Sequence, residues 1–198
     1  MDLGLYEKFK IACKTKVKAD EKRFAAEFVQ SFRDDDERLA WTRSFLETVD
    51  ASQKIRFELF EGIVFPALLS EYRAGSVWAG IWLARTFENI VNSEATSRHF
   101  EGVTQAQLFE ECLAKDPAND EVRMALVDAK VESMEYAVHA WPRRVIYAEG
   151  ETSVDFLSDV ARSRELDKES RHAAFFDRVE KILLEDRTRV KGPRAGRS

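Results

Sequence analysis

The stretch from Thr104 to Ala140, TQAQLFEECLAKDPANDEVRMALVDAKVESMEYAVHA, indicates the fold of this chain more clearly than any other part. It opens on the Thr-x-x-Gln pattern of a capping box, which predicts a helix from Ala106 to Lys115. Asp116-Pro117-Ala118-Asn119 then favours a tight connection, because proline and small polar residues suit turns. Apolar side chains recur at helical spacing from Asp120 to about Ala140. The stretch therefore predicts two helices joined by a short turn.

Helical periodicity extends over the rest of the chain. Phe24, Phe28 and Phe32 recur every four residues, which places them on one face of a helix. Gly62 and Pro66 interrupt the pattern and predict a break or kink. Further helices are predicted over about residues 3–32 (a pair), 34–49, 55–61 (with Ser52 as its cap), 66–75, 77–91, 152–166 and 168–187.

These patterns predict an all-α fold. Val145 to Ala148 is the only short strand candidate, and it has no second strand with which to pair. We expect an irregular stack of about eight to ten antiparallel helices in a helical-hairpin architecture. The length of 198 residues suits one domain, or at most two tightly packed halves. We predict a single helical domain over 1–187 and a flexible basic tail over 188–198.

The composition predicts a cytoplasmic protein. No run of about 18 apolar residues is present, and the first residues carry charges where a secretory signal would be apolar. Cys13 and Cys112 are therefore expected to be reduced and to pack as small apolar side chains, and whether either is reactive stays open.

Charge is distributed unevenly along the chain. The formal net charge is −5, yet residues 1–23 carry +3 and residues 187–198 carry +5, so residues 24–186 carry −13. An acidic body repels the phosphates of nucleic acid and attracts basic partners. We therefore expect a basic protein as the partner, with no membrane partner. Nucleic-acid binding through the basic ends is a third, less favoured reading.

The predicted long helix and the loop after it hold the candidate partner-binding residues. The loop is rich in Trp, Tyr and Arg, which are common at binding hot spots. In the alternative interpretation, Trp141 fills the core and the arginines pair with the acidic body. The candidates are Asp116, Asp120, Glu121, Asp128, Glu132, Glu135, Trp141, Arg143, Arg144 and Tyr147.

No sequence pattern indicates catalysis. The chain lacks Gly-x-Ser-x-Gly, a phosphate-binding glycine loop, Cys-x-x-Cys and His-Glu-x-x-His. Glu132, Glu135 and His139 could share one helix face, so the alternative function is a metal-binding protein or an enzyme with a site there. Glu-x-x-His, which the helical di-metal proteins use, does not occur. We therefore expect no enzyme activity, no cofactor and no bound metal.

The stretch Leu113 to Leu126, LAKDPANDEVRMAL, resembles the junction between tetratricopeptide repeats, where a helix ends in Asp-Pro and the next helix begins. A second copy at the family spacing of about 34 residues is not found. The resemblance therefore implies a degenerate stack of helical hairpins with a concave binding surface. In general character the chain is also similar to bacterial toxin-neutralising immunity proteins, many of which are small, acidic and helical. That similarity implies a protein that binds and blocks a basic toxin domain.

Overall fold

A computed structural model describes residues 1–49, 55–147 and 152–191 of the chain. In these residues the ordered backbone is helical and contains no β-strand, which confirms the all-α prediction. The contacts divide the chain into two compact units, unit 1 (Met1–Asp116) and unit 2 (Pro117–Ser198), where we expected a single helical domain over 1–187. Each unit is described by itself. No helix among the described residues is both long and apolar enough to cross a lipid bilayer.

Unit 1 contains the shorter helices. Those of its first half are α1 (Leu3–Thr15), α2 (Lys18–Gln30), α3 (Asp35–Thr48), α4 (Phe57–Leu59), a π-helical segment (Phe60–Val64) and α5 (Phe65–Arg73). Those of its second half are α6 (Val77–Arg85), α7 (Phe87–Val91), α8 (Glu94–Ser97) and α9 (Gln105–Lys115). The helix α1 packs against α2, α5 packs against α6, and α6 packs against α9. The predicted cap Ser52 lies outside the described residues.

The core of the first half of unit 1 is aromatic. Phe28 is fully buried, and its ring centroid lies 5.2 Å from that of Tyr6 and 5.3 Å from that of Trp41. Phe32 is also buried, whereas Phe24 is only partly covered. The predicted phenylalanine stripe therefore joins α2 to α1 and α3. The edge-to-face contact of Phe28 with Trp41 adds stabilisation beyond that of the apolar area removed from water.

Of the predicted break or kink at Gly62 and Pro66, the break does not occur, because α4, the π-helical segment and α5 form one continuous helical run. The regular α-helix is nevertheless interrupted at this place by the π turn over Phe60–Val64. The wider π turn is closed by the Phe65 N–H, which donates to the Phe60 carbonyl. Pro66 is the second residue of α5 and lies immediately after the π turn. Gly62 allows a close approach to α2, since a Cβ there would lie 2.7 Å from Cγ2 of Val29.

Unit 2 contains α10 (Asp120–Val138), α11 (Ser153–Leu166) and α12 (Ala173–Lys191), which pack against one another. All three helices contribute to one apolar core, whose fully buried members include Val127, Phe176, Val179 and Leu183. Residues 145–147 form no strand; instead, the Ile146 N–H donates to the Ala137 carbonyl at 2.8 Å. Ala148 and residues 192–198 of the predicted tail lie outside the described residues.

The connection between α9 and α10 confirms the predicted helix ends. Thr104 and Gln107 form the predicted capping box at the start of α9. The Asn119 side chain caps α10 by accepting the Val122 N–H at 3.1 Å. The division between unit 1 and unit 2 falls inside this connection, between Asp116 and Pro117. The helical-hairpin arrangement that we expected across this turn stays a prediction.

Candidate protein-docking surface

The exposed side of α10, which we call the outer face, carries five acids and Tyr136. The five acids are Asp120, Glu121, Asp128, Glu132 and Glu135, and all are exposed. The basic residues of α10, Arg123 and Lys130, point inward instead, with side chains that are only 4% and 12% exposed. The apolar residues of the opposite side bury α10 in the core of unit 2, so the outer face is presented by a fixed helix.

Arg123 is a buried charged residue of α10 that could not be identified from the sequence. Its guanidinium donates to the Leu166 carbonyl at 2.6 Å, to Glu169 at 2.9 Å and to Asp120 at 3.1 Å. The hydrogen bond with Glu169 is the main reason that the pKa of Arg123 is raised. A buried arginine is tolerated because its five donors are largely satisfied. Arg123 thereby fixes the connection between α11 and α12 to α10.

Other ion pairs leave part of the outer face uncompensated. Lys130 Nζ lies 3.3 Å from Oδ1 of Asp159 on α11, so its charge is directed away from the outer face. The carboxylate of Asp128 lies 2.9 Å from Nε2 of His172. Glu135 is 3.9 Å from Arg178, and both side chains are more than half exposed, so this pair is weak. Glu132 forms no ion pair with any residue that the structure describes. The net charge of the outer face is therefore negative.

Tyr136 gives the outer face an exposed aromatic ring. Its exposed fraction of 66% is the largest among the exposed large hydrophobic residues of the described chain. The ring lies one turn after Glu132, and its centroid is 5.2 Å from that of His139. Exposed tyrosine is typical of protein interfaces, because it supplies contact area with little conformational entropy to lose. Its four-residue spacing from Glu132 was visible in the sequence, but its outward direction depends on which side of α10 is buried.

The structure divides the predicted loop residues between core and surface. Trp141 and Tyr147 both pack against the core of unit 2. The Tyr147 hydroxyl also donates to Asp186 of α12 at 2.8 Å. Arg143 and Arg144 are exposed. Trp141 therefore packs against the core, as the alternative interpretation had it, and Tyr147 does so as well. Of the predicted loop residues, Arg143 and Arg144 remain on the surface.

Asp116 belongs to a different unit of the chain from the other predicted acids. It is the C-cap of α9, where its N–H donates to the Cys112 carbonyl, and it belongs to unit 1. The other predicted acids belong to α10 of unit 2. The structure therefore does not assign Asp116 to the outer face.

The alternative metal site gains no support from the geometry. Among the described residues, no group of three or more His, Cys, Asp or Glu side chains is arranged to hold a metal ion. His139 Nδ1 is already 2.5 Å from the Tyr136 carbonyl. Cys112 is buried, and burial raises the pKa of its thiol, which disfavours the reactive thiolate. Burial likewise raises the pKa of the Cys13 thiol.

No protein-family model, curated protein or solved structure matches this chain.

Proposed function

We propose that this chain is a non-enzymatic protein-binding module that holds a basic partner against the outer face of α10. The observation that carries the proposal is the orientation of charge on this helix. Both basic side chains, Arg123 and Lys130, are largely buried and form ion pairs within unit 2, and the five carboxylates are exposed. A surface with one sign of charge raises the association rate with a partner of opposite charge and disfavours partners of the same charge.

The size of the outer face suits one side of a modest interface. A helix of 19 residues is about 28 Å long at 1.5 Å per residue. A stable complex buries roughly 800 Å² on each partner, so the partner would also cover residues of unit 2 next to α10. Tyr136 is the expected anchor, because a buried aromatic residue surrounded by polar residues is the usual pattern of a hot spot.

Within this class, we propose a toxin-neutralising protein of the immunity type, in a bacterial cytoplasm. The acidity of residues 24–186 supports this choice, since an inhibitor of a basic toxin domain needs the complementary charge. The bound chain would block the toxin by covering its basic surface. This chain would then protect cells only while its outer face is intact.

The test reverses charge on the outer face with the double substitution Glu132→Lys and Glu135→Lys. The partner is first identified with wild-type protein in quantitative capture, and binding is then measured with purified components at several salt concentrations. We expect a stoichiometric basic partner, slower association with the variant and a weaker salt dependence. If the partner is a toxin, co-expressed wild-type protein should restore growth and the variant should not.

A matched control separates this surface from general acidity. Glu27 on α2 and Glu47 on α3 are exposed acids of unit 1, so Glu27→Lys with Glu47→Lys changes the net charge equally. Association should change much less in this control. Equal losses in both variants, or unchanged binding after reversal of the outer face, would remove α10 from the proposal. Tyr136→Ala should mainly speed dissociation.

A further inference from the structure

A second charged feature lies in unit 1, where α1 turns into α2. A cavity of about 590 Å³ opens there. Its lining residues are Cys13, Lys16, Lys18, Glu21, Lys22, Arg56 and Glu58. Four cationic and two anionic side chains meet around one space, which gives the cavity a net charge of +2. This sign is opposite to that of residues 24–186 taken together.

Both carboxylates of the cavity lie within ion-pair distance of one arginine, Arg56. Arg56 forms an ion pair with Glu21, whose side chain is only 9% exposed, and it lies 3.9 Å from Glu58. Neither carboxylate forms an ion pair with a lysine among the residues that the structure describes. Lys16, Lys18 and Lys22 likewise form no ion pair within the described part of the chain. Three ammonium groups are therefore available to one ligand.

The backbone arranges these lysines around the turn. Lys16 has a left-handed conformation (φ 58°) that ends α1, and α2 starts two residues later at Lys18. Lys18 and Lys22 are one turn apart on α2, so their side chains lie on the same face. The N-cap of α2, Val17, provides no side-chain acceptor for the first-turn N–H groups. The positive end of the helix dipole adds to the attraction that the lysines exert on an anion.

The size and chemistry of the cavity select the class of ligand. Lysine ammonium groups bind phosphate oxygens as flexible point charges. Three ammonium groups carry more positive charge than a singly charged anion would neutralise. The volume of the cavity accommodates more than one phosphate group. Burial raises the pKa of the Cys13 thiol, so this side chain stays neutral and does not repel the anion. We propose that the cavity at the α1–α2 turn binds a small anion carrying two linked phosphate groups. This site is independent of the outer face of α10.

The experiment uses inorganic pyrophosphate as the probe and the full chain as the protein. Isothermal titration calorimetry at low ionic strength should show binding of one pyrophosphate, with weaker binding of orthophosphate. The double substitution Lys18→Gln with Lys22→Gln should weaken pyrophosphate binding by at least about tenfold, because two charge-assisted contacts are lost. In an NMR titration, the N–H signals of residues 16–22 should shift before those of other residues.

A matched control distinguishes the cavity from a diffuse basic surface. Lys8 and Lys14 lie on α1 but do not line the cavity, so Lys8→Gln with Lys14→Gln changes the net charge equally. Pyrophosphate affinity should fall less than about twofold in this control, since screening weakens distant charges. All variants replace exposed side chains, and circular dichroism verifies their folding. Equal losses in both variants would overturn the proposal, as would the absence of both heat and shifts with wild-type protein. Tighter binding of a single-stranded oligonucleotide, lost equally in both variants, would also overturn it.

Discussion

Gly80 of α6 lies against Cys112 of α9, and its replacement by alanine tests the packing of unit 1. A Cβ at this position would lie 2.6 Å from Sγ of Cys112, whereas ordinary contacts begin near 3.4 Å. Cys112 is only 2% exposed, so its sulfur has little room to move away. Relieving the contact therefore requires a shift of nearly 1 Å in a packed interior. The conflict is local to this pair of residues.

The expected magnitude follows from two opposing effects. Overpacking of a core destabilises a protein by about 1–3 kcal/mol, and replacing a helical glycine with alanine stabilises it by about 0.5–1 kcal/mol. Gly80→Ala should therefore lower the free energy of unfolding by about 1–2 kcal/mol. Cys112→Ala alone should cost about 1 kcal/mol through the space it leaves. The double variant should be close to wild type, because the new methyl group occupies the space of the sulfur. The coupling energy is then about 2–3 kcal/mol.

Urea unfolding followed by tryptophan fluorescence measures these energies. Trp41, Trp78 and Trp82 belong to unit 1, so the signal reports mainly on the unit that contains the substitutions. Gly62→Ala is the matched control, because its Cβ would meet Val29 and not Cys112. Combined with Cys112→Ala, it should be additive within about 0.5 kcal/mol. The packing argument fails if Gly80→Ala is as stable as wild type, or if both pairs show the same coupling.

Two further predictions concern unit 2. Arg123→Lys keeps the charge, but one ammonium group cannot reach Leu166, Glu169 and Asp120 together. The variant should lower the urea midpoint and speed hydrogen exchange in residues 166–172, and a wild-type exchange pattern would contradict this role. Thr152 and Asp155 form a capping box at the start of α11, and the hydrogen bonds from Thr152 lower the pKa of Asp155. The resulting stabilisation is present above the ordinary carboxyl pKa of about 4 and is lost as the pH falls through the lower folded-state pKa. Asp155→Asn should therefore reduce the urea midpoint at neutral pH but not in strong acid; a difference independent of pH would argue against the cap.

Local sequence determined the helices and most of their ends. The capping box of α9 and the Thr152–Asp155 cap of α11 depend on residues three apart, so they can be read without knowledge of the fold. The acidic residues in the first turn of α3 are also a local signal, because the positive end of the helix dipole favours negative side chains there. Of the break or kink expected at Gly62, no break formed, because the helical run continues through a π turn. A glycine gives the same local signal whether it ends a helix or lets another helix approach, and only the position of Val29 decides between them.

The candidate surface was predicted only in part. The acids of α10 could be named from the sequence, but the inward direction of Arg123 and the outward direction of Tyr136 could not. Which side of α10 faces the core depends on how α11 and α12 pack against it, and no local pattern specifies that packing. Trp141 had two open interpretations for the same reason, and it packs against the core of unit 2 together with Tyr147.

The sequence by itself determined that the chain is helical, where most helices begin and end, and that its charge is uneven. These properties follow from hydrogen bonds and side chains only a few residues apart. Tertiary structure alone decided the division into two units, the burial of Arg123 and the cavity at the α1–α2 turn. The burial of Arg123 and the cavity each bring together groups that are distant in sequence, as Arg123 and Glu169 are, and such contacts depend on the packing of whole helices.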